Sequence, residues 1–190
     1  MKYLLLLIIT STLLSCSKPD IVLPAQPPEE FTRHTIPRGD HYSDKSIVKS
    51  VRISKQVFKV KFDSSAIYTS LLPENQYDIN KLYGFSEGND HHINSARIGW
   101  RYNDDSLRLF AYTYFNGQRL SEEICAVIIG ETIDCSIEIT GNSYHFKVNQ
   151  STLKMDRALN TDFASGYQLY PYFGGDETAP HSVSIMIRDL

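Results

Sequence analysis

From Ser46 to the C-terminus, apolar and polar positions alternate with a period of two. In SIVKSVRI, Ile47, Lys49, Val51 and Ile53 alternate against Val48, Ser50 and Arg52, and in QVFKVKFD, Phe58, Val60 and Phe62 are separated by Lys59 and Lys61. INSARIGWRY, DSLRLFAYTYF, EEICAVIIG, ETIDCSIEIT, SYHFKVN and HSVSIMIRD continue the pattern, each bounded by Asn, Asp, Gly or Pro. Successive side chains of a strand point to opposite faces, so each run buries one face and wets the other. Residues 63–80 leave room for a helical turn or two, and no stretch carries a sustained 3.6-residue period. The prediction is an all-β, antiparallel domain. Short strands at this spacing favour two sheets stacked as a jelly-roll sandwich, with a closed β-barrel as the alternative, because period two does not separate the two arrangements.

Residues 93–115 are the most informative hairpin. With Asn103-Asp104 as a two-residue turn, Tyr102 pairs with Asp105, Ile98 with Leu109 and Ala96 with Ala111. One face is then Ala96, Ile98, Trp100, Leu107, Leu109, Ala111 and Thr113, which reads as core. The other carries Ser95, Arg97, Gly99, Arg101, Arg108, Phe110, Tyr112 and Tyr114. Tyrosine rings lie well against the apolar face of a sugar ring, and guanidinium forks suit hydroxyls, carboxylates and sulfates. Arg97, Arg101, Phe110, Tyr112 and Tyr114 are therefore expected ligand-binding residues. A three-residue loop, Asn103 to Asp105, would instead pair Trp100 with Arg108 and Ile98 with Phe110 and scatter this platform.

LYPYFGGDETAPH, residues 169–181, sets two glycines between aromatic residues and two carboxylates ahead of the last strand. It reads either as the lead-in to that strand, with Tyr170 and Phe173 capping the core, or as a rim to the ligand face that adds Tyr172, Asp176 and His181. Asp90, His91 and His92 share a turn in which adjacent side chains point apart. No HExxH or CxxC spacing supports a metal set, and the one cofactor expected as an option is a single Ca²⁺ held by oxygens from Asp90, Asp176 or Glu177. EEICAVIIGETIDCSIEIT reads as a hairpin turning at Gly130-Glu131, which leaves Cys125 and Cys135 either as a cross-strand disulfide or as two small core residues.

The sequence contains 12 Tyr, 9 Phe and 1 Trp. It has 19 Lys and Arg against 22 Asp and Glu, with no basic run. A nucleic-acid partner needs a cationic stripe, so that class is excluded from the expectation.

The N-terminal stretch MKYLLLLIITSTLLSC has one lysine, an apolar run and small residues before Cys16, the layout of a cleaved export signal. Leu13-Leu14-Ser15-Cys16 resembles a bacterial lipobox, and the resemblance implies cleavage after residue 15 and acylation of Cys16. A proline-rich tether, with Pro19, Pro24, Pro27 and Pro28, is expected from residue 16 to 46, with His34 and His41 solvated or lightly packed in it. One domain is expected over 47–190. The lipobox together with ARIGWRY, LRLFAYTYFNGQR, LYPYFGG and HSVSIMIRD resembles small surface lipoproteins with a concanavalin A-like sandwich. That resemblance implies an exported protein, held by its lipid to the outer membrane and facing the periplasm or the cell surface.

Glucanases of that fold carry a Glu-x-Asp-x-x-Glu strand motif, which is absent here; Glu131, Asp134 and Glu138 stand in the wrong order, so retaining hydrolysis loses support. The functional expectation is non-catalytic glycan binding or surface assembly, with the bilayer, glycans and other envelope proteins as partners. The alternatives are a polysaccharide lyase using Asn94, Arg97, Tyr112, Tyr114 and His92, and a structural envelope domain.

Overall fold

The computed structural model describes residues 30–190. Twelve strands follow the alternation: β1 (Thr32–Ile36), β2 (Ser50–Ile53), β3 (Lys55–Phe62), β4 (Asn80–Ser86), β5 (Ser95–Asn103) and β6 (Ser106–Phe115) in the first half. They are followed by β7 (Gln118–Val127), β8 (Ile133–Thr140), β9 (Ser143–Val148), β10 (Ser151–Asp156), β11 (Ala164–Leu169) and β12 (Val183–Asp189). Two short 3-10 turns, Ser64–Ala66 and Pro73–Tyr77, fill the one stretch that the alternation leaves free.

The strands form two six-stranded antiparallel sheets, ordered β1-β12-β3-β8-β9-β10 and β2-β11-β4-β5-β6-β7. This is the expected sandwich, and the sheets do not close into a barrel. Between them lie Phe58, Val60, Phe62, Ile137, Phe146 and Ile185 from one sheet against Phe85, Ile98, Trp100 and Leu109 from the other, all fully buried or nearly so. Trp100 sits at the centre, with ring centroids 5.5 Å from Phe62, 5.8 Å from Tyr68 and 6.3 Å from Phe173. A second, polar anchor closes one end. Arg157 and Glu87, both buried, form a two-pronged ion pair at 2.7 and 2.6 Å, and the Tyr144 hydroxyl donates to the same carboxylate.

Four expectations are corrected. The domain takes in residues assigned to the tether: β1 pairs along its whole length with β12, His34 is buried, and His41 Nδ1 is 2.8 Å from the Phe173 carbonyl oxygen. A proline-rich composition up to Pro28 says nothing about the alternating TRHTI that follows it. The Cys125 to Cys135 stretch is not a hairpin. β7 pairs with β6 in one sheet and β8 with β3 and β9 in the other, so the chain crosses between sheets at Gly130, and the two cysteines are free thiols. His91 and His92 do not point apart; their ring centroids are 4.0 Å from each other.

The hairpin turn falls one residue later than expected. Asp104 and Asp105, both with positive φ (50° and 53°), form the two-residue turn, so Trp100 pairs with Leu109 and Ile98 with Ala111. The shift displaces each pairing by two residues, and a shift of two leaves every side chain on its expected face.

Candidate functional site

The outer face of the β4-β5-β6-β7 sheet is the floor of a cleft of about 570 Å³. Its floor side chains are Lys81 from β4, Arg97 from β5, Tyr112 and Tyr114 from β6, and Arg119 from β7. One wall is built by residues 42–48 and by 170–176, and the other by His91 and His92 with Tyr167 of β11. The walls stand because the second half of the LYPYFGG stretch is stitched down. Tyr172 exchanges two backbone hydrogen bonds with Lys81 (2.8 and 2.9 Å), Phe173 is buried in the core, and the Gly174 N–H donates to Asn80 Oδ1 at 2.7 Å. Tyr172 thereby faces the cleft, stacked on His41 at 5.2 Å and edge-on to Tyr42 at 4.9 Å.

Arg97 is the central residue. The residue is 6% exposed, its Nε has no hydrogen-bond partner, and among the described residues no carboxylate forms an ion pair with it. The backbone around it approaches β4 closely because Gly84, its partner there, has no side chain: a Cβ on Gly84 would come within 2.5 Å of Arg97 Cβ and 2.1 Å of the Ala96 carbonyl oxygen. A buried guanidinium without a counter-ion is costly and calls for an anion.

Around it the other groups are tuned by the same dry, cationic setting. Burial, aided by Arg97 and His92, lowers His91 to about 4, so this imidazole is neutral at neutral pH. Its Nδ1 is 2.7 Å from the Tyr167 hydroxyl. Burial and the neighbouring Tyr114 push Tyr112 up to about 12, which keeps its hydroxyl protonated. Burial first, then Arg97 and Arg119, brings Lys81 down to about 8.

Of the residues expected to bind ligand, the structure brings Arg97, Tyr112, Tyr114 and Tyr172 together. Arg101 and Phe110 are elsewhere employed. Arg101 donates from Nε to Asn103 Oδ1 (2.7 Å) and from Nη1 to the Tyr77 carbonyl (2.8 Å), and its guanidinium covers the buried Phe110 ring at 4.7 Å. His181 lies away from the cleft, with Nε2 2.8 Å from the Ser65 carbonyl oxygen. Asn94 is also structural, its Oδ1 accepting from Asn116 N–H at 2.9 Å. Cys16 lies outside the described residues.

The oxygens suggested for Ca²⁺ do not converge. Glu177 accepts from the Leu71 and Leu72 N–H groups, each at 2.8 Å, and from Asn75 at 2.9 Å, and it joins no ligand cluster with Asp90 or Asp176 among the described residues. Asp90, His91 and His92 do bring three ligand atoms within 4.8 Å of one another, but His91 Nδ1 is already engaged by Tyr167.

Lys81, Arg119 and Tyr167 are cleft residues that the alternation did not single out. One signal for Lys81 was present: Leu82-Tyr83 breaks the apolar-polar alternation of NKLYGFS, as a bulge does.

No family model and no curated protein matches the chain. Solved structures do match its fold. The alginate lyase from Klebsiella pneumoniae superimposes with a TM-score of 0.55 at 12% identity, over 72% of this chain and 58% of that one. This chain therefore spans less than two thirds of that enzyme. Alginate lyase AlyC3 superimposes with a TM-score of 0.56 at 9% identity, over 84% and 73% of the two chains. At these identities the likeness is one of fold: a β-sandwich of the kind found in carbohydrate-associated proteins.

Proposed function

We propose that the cleft binds an acidic polysaccharide and cleaves it by β-elimination. The observation that carries this reading is Arg97, a buried cation with an unsatisfied Nε on the floor of an open cleft. It shares the cleft with a neutral His91 and a protonated Tyr112. The chemistry assigns each group a task. Arg97 pairs with the carboxylate of a uronate unit and so acidifies the proton on the adjacent ring carbon, C5. With Nδ1–H of His91 donating to the Tyr167 oxygen, the Nε2 lone pair accepts that proton. The C5–H electrons form the C4=C5 double bond, the C4–O bond to the next sugar breaks, and its oxygen leaves with the hydroxyl proton of Tyr112. Nothing is oxidised or reduced, and no water is consumed.

The test is to incubate the protein with homopolymeric uronates and follow the ultraviolet absorbance of the unsaturated product, beside calorimetric binding. Product that disappears in Arg97→Gln and His91→Ala supports the reading. Binding without product returns the protein to the non-catalytic glycan-binding class, a reading favoured by how weak a base an imidazole of pKa about 4 is. Neither binding nor product removes both. Anchoring through an acylated Cys16 belongs to the same proposal, since it would hold the cleft where envelope or extracellular polysaccharide is met.

A further inference from the structure

The inference concerns Lys81 and rests on the acidic-polysaccharide reading of the cleft. Strict alternation along β4 from Phe85 and Tyr83, both core residues, would send Lys81 into the core. It does not go there, because the pairing of β4 with β5 slips between Lys81 and Tyr83 and leaves Leu82 as an extra, fully buried residue. The bulge turns Lys81 onto the cleft floor opposite Gly99. There its ammonium stands 5.2 Å from the Tyr112 ring centroid and 5.5 Å from that of Tyr172. It also lies only 2.4 Å from where a Cβ on Gly174 would be. Two independent features of the backbone thus serve this one side chain: a bulge on its own strand and a bare glycine in the wall.

Charge balance then decides what it is for. The charged and titratable groups that face Lys81 are Arg97 from β5, Tyr112 from β6, Arg119 from β7, Tyr172 from one wall, the neutral His91 from the other, and Asp78 from the turn before β4. Two of these are cations, and among the described residues neither Asp78 nor Asp176, the carboxylate of the cleft wall, forms an ion pair with Lys81. A single bound carboxylate carries one negative charge and would leave either Arg97 or Lys81 uncompensated in a partly dry site.

We propose that Lys81 is a specificity-determining residue that takes a second acidic group of the ligand, so that the cleft prefers chains with carboxylates on neighbouring sugars over chains in which acidic and neutral sugars alternate. The preference is also proton-linked. Lys81 is charged below about pH 8 and neutral above it, so binding weakens as pH rises through that value.

The experiment measures dissociation constants by calorimetry for three size-matched probes: an oligogalacturonate, a hyaluronan oligosaccharide and a neutral malto-oligosaccharide. They are compared in the wild-type protein and in Lys81→Met, Lys81→Arg and Arg97→Gln, with melting temperatures to confirm folding. The wild type is expected to bind the oligogalacturonate at least about tenfold more tightly than hyaluronan, the worth of one charge-assisted contact. Lys81→Met abolishes that preference and the alkaline loss of affinity. Lys81→Arg keeps the preference and moves the loss to higher pH. Arg97→Gln weakens both acidic probes. If Lys81→Met leaves affinity, preference and pH profile unchanged while Arg97→Gln still weakens binding, the Lys81 assignment is wrong and the cleft reading stands. If it weakens both acidic probes equally, Lys81 contributes charge but not selection, and the inference is also overturned. If the wild type binds neither acidic probe, the cleft reading falls and takes this inference with it.

Discussion

At the scale of single residues, the cleft is a place where the fold holds cations that it does not neutralise. Lys81 makes the consequence measurable, because its effects on stability and on binding oppose each other. Its pKa lies near 8 in the folded protein against 10.5 for an ordinary lysine. Between those values the unfolded chain binds a proton that the folded chain does not, so stability rises with pH across that window while anion binding falls. Lys81→Met should therefore melt higher than the wild type at neutral pH, with the difference shrinking as pH passes from about 8 to 10.5. Thermal denaturation across that range checks it, and a variant less stable at pH 7 would show the ammonium to be a structural contact. Tyr112 works in the opposite sense: held protonated to about 12 against an ordinary 10.0, it makes stability fall with pH between those values. Gly84 is the second residue-scale test. Gly84→Ala puts a methyl against Arg97 and the Ala96 carbonyl, so it should disturb acidic-ligand binding and lower stability together, read by calorimetry and thermal melting.

At the scale of elements, the β4 bulge and the β5–β6 turn set the floor. The turn places two aspartates in the left-handed region, at φ 50° and 53°. An L-residue with a Cβ is held there against an intrinsic cost of about 1–2 kcal/mol, and the second position of such a turn favours glycine. Asp105→Gly should raise stability by up to about 1 kcal/mol in urea denaturation and leave ligand binding intact, since both faces of the hairpin stay where they are. A loss of binding would mean that the turn, and not the register of Arg97 and Tyr112, governs the platform. Within the core of the same hairpin, Leu109→Ala should lower stability by about 2–5 kcal/mol.

At the scale of the whole molecule, the folded unit begins earlier than composition suggests. A chain starting at residue 47 lacks β1 and with it five cross-strand positions on β12, the buried His34 and Ile36, and the Phe173 contact of His41. A chain starting at residue 30 keeps all of them. The shorter chain should melt markedly lower and lose protection of β12 amides in hydrogen exchange, and equal melting temperatures would return residues 32–46 to the tether. Membrane attachment is tested separately by Cys16→Ser, which should abolish fatty-acid labelling and detergent-phase partitioning while the domain still folds. Unchanged labelling would end the lipoprotein proposal.

The alternation by itself determined the all-β class and, with a two-residue turn, the grouping of Arg97, Tyr112 and Tyr114 on a face away from Trp100 and Leu109, while the cross-strand pairing of Arg97 with Tyr112 was decided by the turn at Asp104-Asp105. It could do so because side-chain direction in a strand depends only on parity, which survives a turn misplaced by one residue. Parity says nothing about which runs lie side by side. So Cys125 and Cys135, adjacent in the pattern, belong to different sheets, and TRHTI, beyond a proline-rich stretch, pairs with the last strand from the far end of the chain. Nor does it say where parity breaks. Lys81 reaches the cleft through an extra residue in β4, Arg101 is drawn off by the Tyr77 carbonyl, and His181 is held by Ser65. Each of these depends on a partner distant in sequence, and only the packing of the two sheets brings such partners within hydrogen-bonding range.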